Sequence, residues 1–187
     1  MTGGLARRSP LDGLSLPPGI REVPFLAQLN LRVDPTDASA LAAAAGVLGF
    51  GLPVEPNGVS GSGAVAALWL GPDEWLVVAS PGKGEDLEQR LGRALGGSFR
   101  ALVDVSASRT TLELCGPSAR AALESGCPID LHPRVFRAGQ CAQTLVARAS
   151  VILWQLTEEP RYRLLVRPSF AAYVAAWLTD AVAAADA

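Results

Sequence analysis

The residues that could do chemistry in this 187-residue chain are few: one histidine, His132, three cysteines, Cys115, Cys127 and Cys141, and one glycine-rich stretch. A Ser-His-Asp or Cys-His nucleophile needs an imidazole oriented by a further group, so any such site would have to use His132. The setting Asp130-Leu131-His132-Pro133 is a proline-bearing loop, where a polar residue commonly bonds local backbone, and a lone histidine lacks the partners a triad requires. The cysteines are odd in number and show no C-x-x-C spacing, which suggests neither a zinc knuckle nor a disulfide framework. They read as reduced, structural thiols. Gly61-Ser62-Gly63-Ala64-Val65-Ala66 matches G-x-G-x-x-A, but a dinucleotide fingerprint follows a strand and opens a helix; here a loop precedes and a strand follows.

Charged residues add little that is specific. Asp104 and Glu113 could be paired carboxylates, yet nothing in the sequence sets their separation, and neither is given a role. Arg161, Arg163 and Arg167 share one face of a late strand, opposite Tyr162, Leu164 and Val166. A solvated or ion-paired face is the first reading of that row, and a carboxylate- or phosphate-binding row the second. No catalytic, cofactor-binding or metal residue is assigned.

The elements that must position these groups are legible from periodicity. Residues 1–24 contain Gly, Pro and Arg without sustained period and read as an extended arm, mobile or laid on a partner. From Phe25 to Val33 apolar residues alternate as in a half-buried strand, Asp34-Pro35 caps a helix carrying Leu41, Ala44, Ala45 and Leu48, and residues 49–63 read as a loop. Val65–Leu70 and Trp75–Ala79 form a hairpin about Gly71-Pro72-Asp73-Glu74, a second helix carries Leu87, Leu91 and Leu95, and residues 100–105 return as a strand. That β-α-β-β-α-β order closes into an antiparallel sheet with both helices on one face. The second part begins the same way: a strand at 109–115, a short helix after Gly116-Pro117, strands near 142–148, 150–156 and 161–167, and a final helix capped by Ser169 with Phe170, Tyr173, Val174, Trp177 and Leu178 on one face. The expected architecture is α+β: two β-α-β-β-like halves, at about 25–105 and 106–183, of one domain spanning 25–183, with helices packed on antiparallel sheets.

Composition bounds the function. A chain of this length buries about 70% of its unfolded surface and needs no covalent staples. Its net charge is −2 and its arginines are scattered, so no nucleic-acid partner is indicated. No apolar run approaches a membrane span and no secretory signal precedes the fold, which suits a soluble cytoplasmic protein. Hydrophobic residues make up 49% and charged residues only 18%, against the roughly 25% charge of average domains. Exposed apolar patches covered by a partner are expected, with contacts in the arm and in the 49–63 loop.

A resemblance sharpens this. Val103-Asp104-Val105-Ser106-Ala107-Ser108-Arg109-Thr110-Thr111-Leu112-Glu113-Leu114, with Gly116-Pro117-Ser118-Ala119-Arg120 after it, resembles the gamma subunit of heterotetrameric sarcosine oxidase. So do Leu70-Gly71-Pro72-Asp73-Glu74-Trp75-Leu76, Gly126-Cys127-Pro128-Ile129-Asp130-Leu131-His132-Pro133, Cys141-Ala142-Gln143-Thr144-Leu145, Val151-Ile152-Leu153-Trp154 and Leu164-Leu165-Val166-Arg167-Pro168-Ser169-Phe170. Together they cover most of residues 25–180. The family is similar in fold to the folate-binding aminomethyltransferases, such as the T-protein of glycine cleavage.

The resemblance implies an accessory, structural chain in an alpha-beta-gamma-delta complex, with alpha its direct contact. That complex oxidises the N-methyl group of sarcosine to give glycine, passing the one-carbon unit to tetrahydrofolate or releasing formaldehyde, with hydrogen peroxide as the other product. FAD, FMN, NAD and the folate site are implied in the alpha and beta chains and zinc in delta, with no cofactor in this chain. The alternative is a free-standing folate-binding or aminomethyltransferase-like protein. Of the K-G-C-Y-x-G-Q-E stretch of one folate-binding branch, only Gly139-Gln140 is present here, after Phe136-Arg137-Ala138.

Overall fold

The computed structural model describes residues 7–98 and 100–187, so residues 1–6 of the expected arm lie outside it. The first strand comes from the arm itself: β1, Ile20–Glu22, pairs antiparallel with β7, Thr110–Cys115, through Ile20↔Leu114 and Glu22↔Leu112. Leu11 and Ile20 are buried with Leu112 and Leu114, so this stretch of the arm packs on the chain's own core. Three residues are too few to show a period, which is why β1 is not visible in the sequence.

Strand β2, Ala27–Val33, starts two residues later than the alternation suggests, because Phe25 sits at φ 61° and turns the backbone before the strand begins. Helix α1, Ala38–Leu48, is capped by Asp37, whose carboxylate accepts from the Ala40 N–H at 2.9 Å. Asp34 accepts instead from the N–H and hydroxyl of Thr36, a local turn that moves the cap three residues onward. Gly49, at φ 84°, ends the helix.

The 49–63 segment is not a free loop. Trp75 Nε1 donates to the Pro53 carbonyl at 2.7 Å, Leu52 is buried, and β3, Val59–Ser62, pairs with β4, Val65–Gly71. Strand β5, Glu74–Ala79, completes the expected hairpin; α2, Gly84–Ala94, buries Leu87 and Leu91, and β6, Arg100–Asp104, returns beside β2. The first sheet runs β3-β4-β5-β2-β6, antiparallel throughout.

The second half follows β7 with α3, Ala119–Glu124, β8, Gln140–Val146, β9, Ala149–Thr157, β10, Arg161–Val166, and α4, Pro168–Ala185. Its sheet runs β1-β7-β10-β9-β8. It repeats the order of the first half: β10 follows β9 through a turn and inserts between β9 and β7, as β5 does between β4 and β2, and a helix follows in each case. Pro168 lies in the first turn of α4 with Arg167 at the cap, so Ser169 falls inside the helix. The buried stripe of α4 is Ala171, Val174, Ala175 and Leu178; Phe170 and Tyr173 point outward, 42% and 41% exposed. The small alanines on the inner face let the helix approach its sheet closely, while the aromatics stay at the rim.

Four layers result. One apolar cluster joins α1 and α2 to Leu29, Leu31, Trp75 and Val77 of the first sheet, and another joins α4 to Leu112, Leu153 and Leu164 of the second. Between the sheets lie Leu68, Leu76 and Val78 from one and Ile152, Trp154 and Leu165 from the other. Each such side chain contributes about 1.5–3 kcal/mol on burial, so this layer packs the two sheets against each other. Among the described residues no helix is long and apolar enough to cross a membrane.

Candidate functional site

The most highly organised charge lies where β1, β7 and β10 run side by side. Glu113 stands directly opposite Arg21 on β1 and Arg163 on β10, and Arg161 reaches it from two residues along the same strand face. Arg21 donates to Glu113 Oε1 through Nη2 at 2.6 Å and Nε at 3.1 Å, Arg161 to the same oxygen at 2.7 and 3.0 Å, and Arg163 Nε to Oε2 at 3.1 Å. Glu113 is 1% exposed, while Arg163 is 18%, Arg161 42% and Arg21 60% exposed. Arg163 also lies 5.3 Å from the ring centroid of Trp154, within cation–π range. Burial pushes the Glu113 carboxyl up, but the three guanidiniums outweigh it and hold it below the ordinary carboxylate range.

This cluster is structural. Its five hydrogen bonds, four on Oε1 and one on Oε2, fasten the edge strand from the arm to the body of the second sheet. The ion-paired reading of Arg161 and Arg163 therefore holds. Glu113 is not paired with Asp104, which lies on the other sheet and accepts from the Ser106 hydroxyl and N–H. Those two bonds, the hydroxyl's being the stronger, lower the Asp104 carboxyl.

His132 bonds local backbone, as its loop suggests: Nδ1 accepts from the Arg134 N–H at 3.2 Å, and the His132 N–H donates to Asp130 at 2.8 Å. Cys115 is exposed, whereas Cys127 and Cys141 are buried. Burial pushes the Cys141 thiol up to about 12, and its Sγ–H points at the Trp69 carbonyl, 3.4 Å away on the other sheet. That thiol is a protonated packing group between the sheets. Among the described residues no group of three or more His, Cys, Asp or Glu is placed to hold a metal ion.

The glycine-rich stretch forms the β3–β4 hairpin, so a strand, not a loop, precedes it, and no helix follows for a pyrophosphate. Gly61 has its own reason: at φ 81° a Cβ would lie 2.4 Å from the Phe50 ring. Arg167 parts company with the other two arginines of its row. Together with Arg109 it lines a cavity of about 400 Å³ at the end of the sheet-to-sheet layer.

Comparison with known proteins now adds to this geometry. A family model described as the sarcosine oxidase gamma subunit family matches residues 32–184. The chain belongs to that family. Among its curated relatives, the sarcosine oxidase gamma subunit of an Arthrobacter species is 42% identical over 164 residues, covering 87% of this chain and 79% of the relative. A chain of the heterotetrameric sarcosine oxidase from Corynebacterium sp. U-96, solved in complex with pyrrole 2-carboxylate, superposes with a TM-score of 0.87 at 37% identity over 97% of both chains. The glycine cleavage system aminomethyltransferase T from Bartonella henselae, at 14% identity and a TM-score of 0.63, covers 86% of this chain and 45% of its own. That last likeness is one of fold, and it agrees with the expected aminomethyltransferase-like architecture of the gamma-subunit family.

Proposed function

We propose that the chain is the accessory gamma subunit of a cytoplasmic heterotetrameric sarcosine oxidase, and that it supplies architecture rather than chemistry. The observation that carries this reading is the end-to-end match to a chain of such a complex, at 97% coverage of both. In the complex, sarcosine is oxidised to glycine, and the methyl carbon leaves to tetrahydrofolate or as formaldehyde while oxygen is reduced to hydrogen peroxide. FAD, FMN, NAD and the folate site belong to the alpha and beta chains in this reading, and zinc to delta. The direct contact is alpha. Leu14 in the arm and Val54 in the 49–63 segment remain 53% and 64% exposed, so both segments still offer apolar side chains to a partner although much of each is pinned to its own chain.

Co-expression with the alpha, beta and delta chains, with and without this one, tests the proposal. The isolated chain is expected to be colourless and inert toward sarcosine, to co-purify with alpha, and to lose protease sensitivity near Leu14 and Val54 on assembly. A flavin spectrum from the isolated chain would overturn it. So would an alpha-beta-delta complex that is equally active and heat-stable without gamma.

A further inference from the structure

The Glu113 cluster shows how this protein treats arginines inside the second sheet: it gives them a carboxylate. At the other end of the same two strands it does not. The β7–β10 register runs Glu113↔Arg163, Thr111↔Leu165 and Thr110↔Val166, so Arg109 and Arg167 are the next residues beyond the last pair and face each other across the strand ends. Strand alternation puts both on the face that carries Ile152 and Leu165, Arg109 half-buried and Arg167 exposed at the rim of the sheet-to-sheet layer. Like charges opposite one another on a sheet are destabilising. Here neither guanidinium has an ion-pair partner among the described residues, and no acidic residue lines the cavity they flank.

That cavity, about 400 Å³, has Ile152 and Leu165 as its apolar floor, with Ser150 and Gln143 at its polar edge. A second one, about 330 Å³, adjoins it through Arg109 and is walled by Arg7, Arg8 and Phe25, again without a carboxylate in its lining. Glu74 is the acid that acts on Arg109 from nearby, but its Oε1 already accepts from Asn30 Nδ2 at 2.7 Å. Burial, and then the charge of Arg167, lower the affinity of Arg109 for its proton, the physical mark of a cation lacking its counter-ion. A concave volume of this size, with an apolar floor and a few convergent charged groups, suits a small ligand. Two guanidiniums select oxyanions, because carboxylate and phosphate oxygens match their donor fork.

We propose that Arg109 and Arg167 clamp the oxyanion of a small carboxylate- or phosphate-bearing compound seated over Ile152 and Leu165. The test is calorimetric titration of the full chain, at low ionic strength, with succinate and with inorganic phosphate as probes. One of them is expected to bind saturably at one site. Arg109→Gln and Arg167→Gln should each weaken it about tenfold or more, some 1.4 kcal/mol per tenfold, while Arg134→Gln, on an exposed loop that lines neither cavity, leaves it unchanged. Relief of the like-charge repulsion should leave the melting temperature of both clamp variants equal to or above that of the parent, which separates a binding role from a structural one.

Repeating the titration on the assembled complex identifies the source of the oxyanion. Retained binding points to a free small molecule. Binding lost on assembly, with assembly itself weakened by Arg109→Gln, points to a partner's carboxylate in the same clamp. No saturable binding of either probe to the full chain, or equal affinity in the two clamp variants and the parent, overturns the proposal. Because this titration uses the chain alone, its failure leaves the subunit assignment standing.

Discussion

Replacing Glu113 by Gln keeps the shape of the side chain and removes the charge that three arginines share. The cost can be worked partner by partner. Arg21 and Arg161 are 60% and 42% exposed, so solvent screens them and each loses up to about 1 kcal/mol. Arg163 is 18% exposed and cannot rehydrate freely, so losing its charged acceptor costs about 1.5–3 kcal/mol. Glu113→Gln should therefore destabilise the chain by about 3 kcal/mol, near the lower end of the range for breaking a buried pair. At this chain length that corresponds to a fall of roughly 6–12 °C in melting temperature. Urea unfolding should rank the variants Glu113→Gln, then Arg163→Gln, then Arg161→Gln and Arg21→Gln. The pH dependence gives a second constraint. The folded carboxyl is held below its unfolded value, so its contribution is fully present above the ordinary value of about 4.3 and is lost as pH falls through the folded one. The gap between parent and Glu113→Gln should be constant from neutral pH down to about 5 and close at lower pH. A variant as stable as the parent, or a gap that widens on acidification, would refute the account.

Gly126 packs against Trp177 so closely that an added Cβ would lie 2.4 Å from the ring. Gly126→Ala should cost about 1–3 kcal/mol and shift the tryptophan emission, with an unchanged melting temperature as the contrary result. A thiol reagent should label Cys115 rapidly in the native chain and reach Cys127 and Cys141 only on unfolding, with Cys141 unreactive at mildly alkaline pH because its thiol is pushed up to about 12. Native labelling of two or more thiols would contradict the burial described.

Much of the architecture is local in origin and so readable from the chain. Alternation over Ala27–Val33, the Pro72-Asp73 turn and the Leu87–Leu91–Leu95 stripe each reflect a periodicity that a dozen neighbouring residues express, and the β-α-β-β opening of both halves follows from their order. The family resemblance was likewise legible, because it is carried by short runs spread from Leu70 to Phe170 in a fixed order. Of the candidate residues, His132 was legible in one respect: its loop position pointed to local backbone bonding, and its Nδ1 accepts from the Arg134 N–H.

Tertiary structure alone decided how the charges are shared. Glu113 meets partners 92, 48 and 50 residues away, and no local pattern encodes which strand becomes its neighbour. The same holds for β1 and β3, too short or too glycine-rich to announce themselves, which become strands because the edges of sheets already formed by other segments offer them unpaired hydrogen-bonding groups. The row Arg161, Arg163 and Arg167 could be read as one face of a strand, but its division could not. Two of its members are paired with a buried carboxylate and the third is left facing Arg109 because β7 supplies an acid at position 113 and a base at position 109, and only the antiparallel register of β7 against β10 sets which arginine meets which.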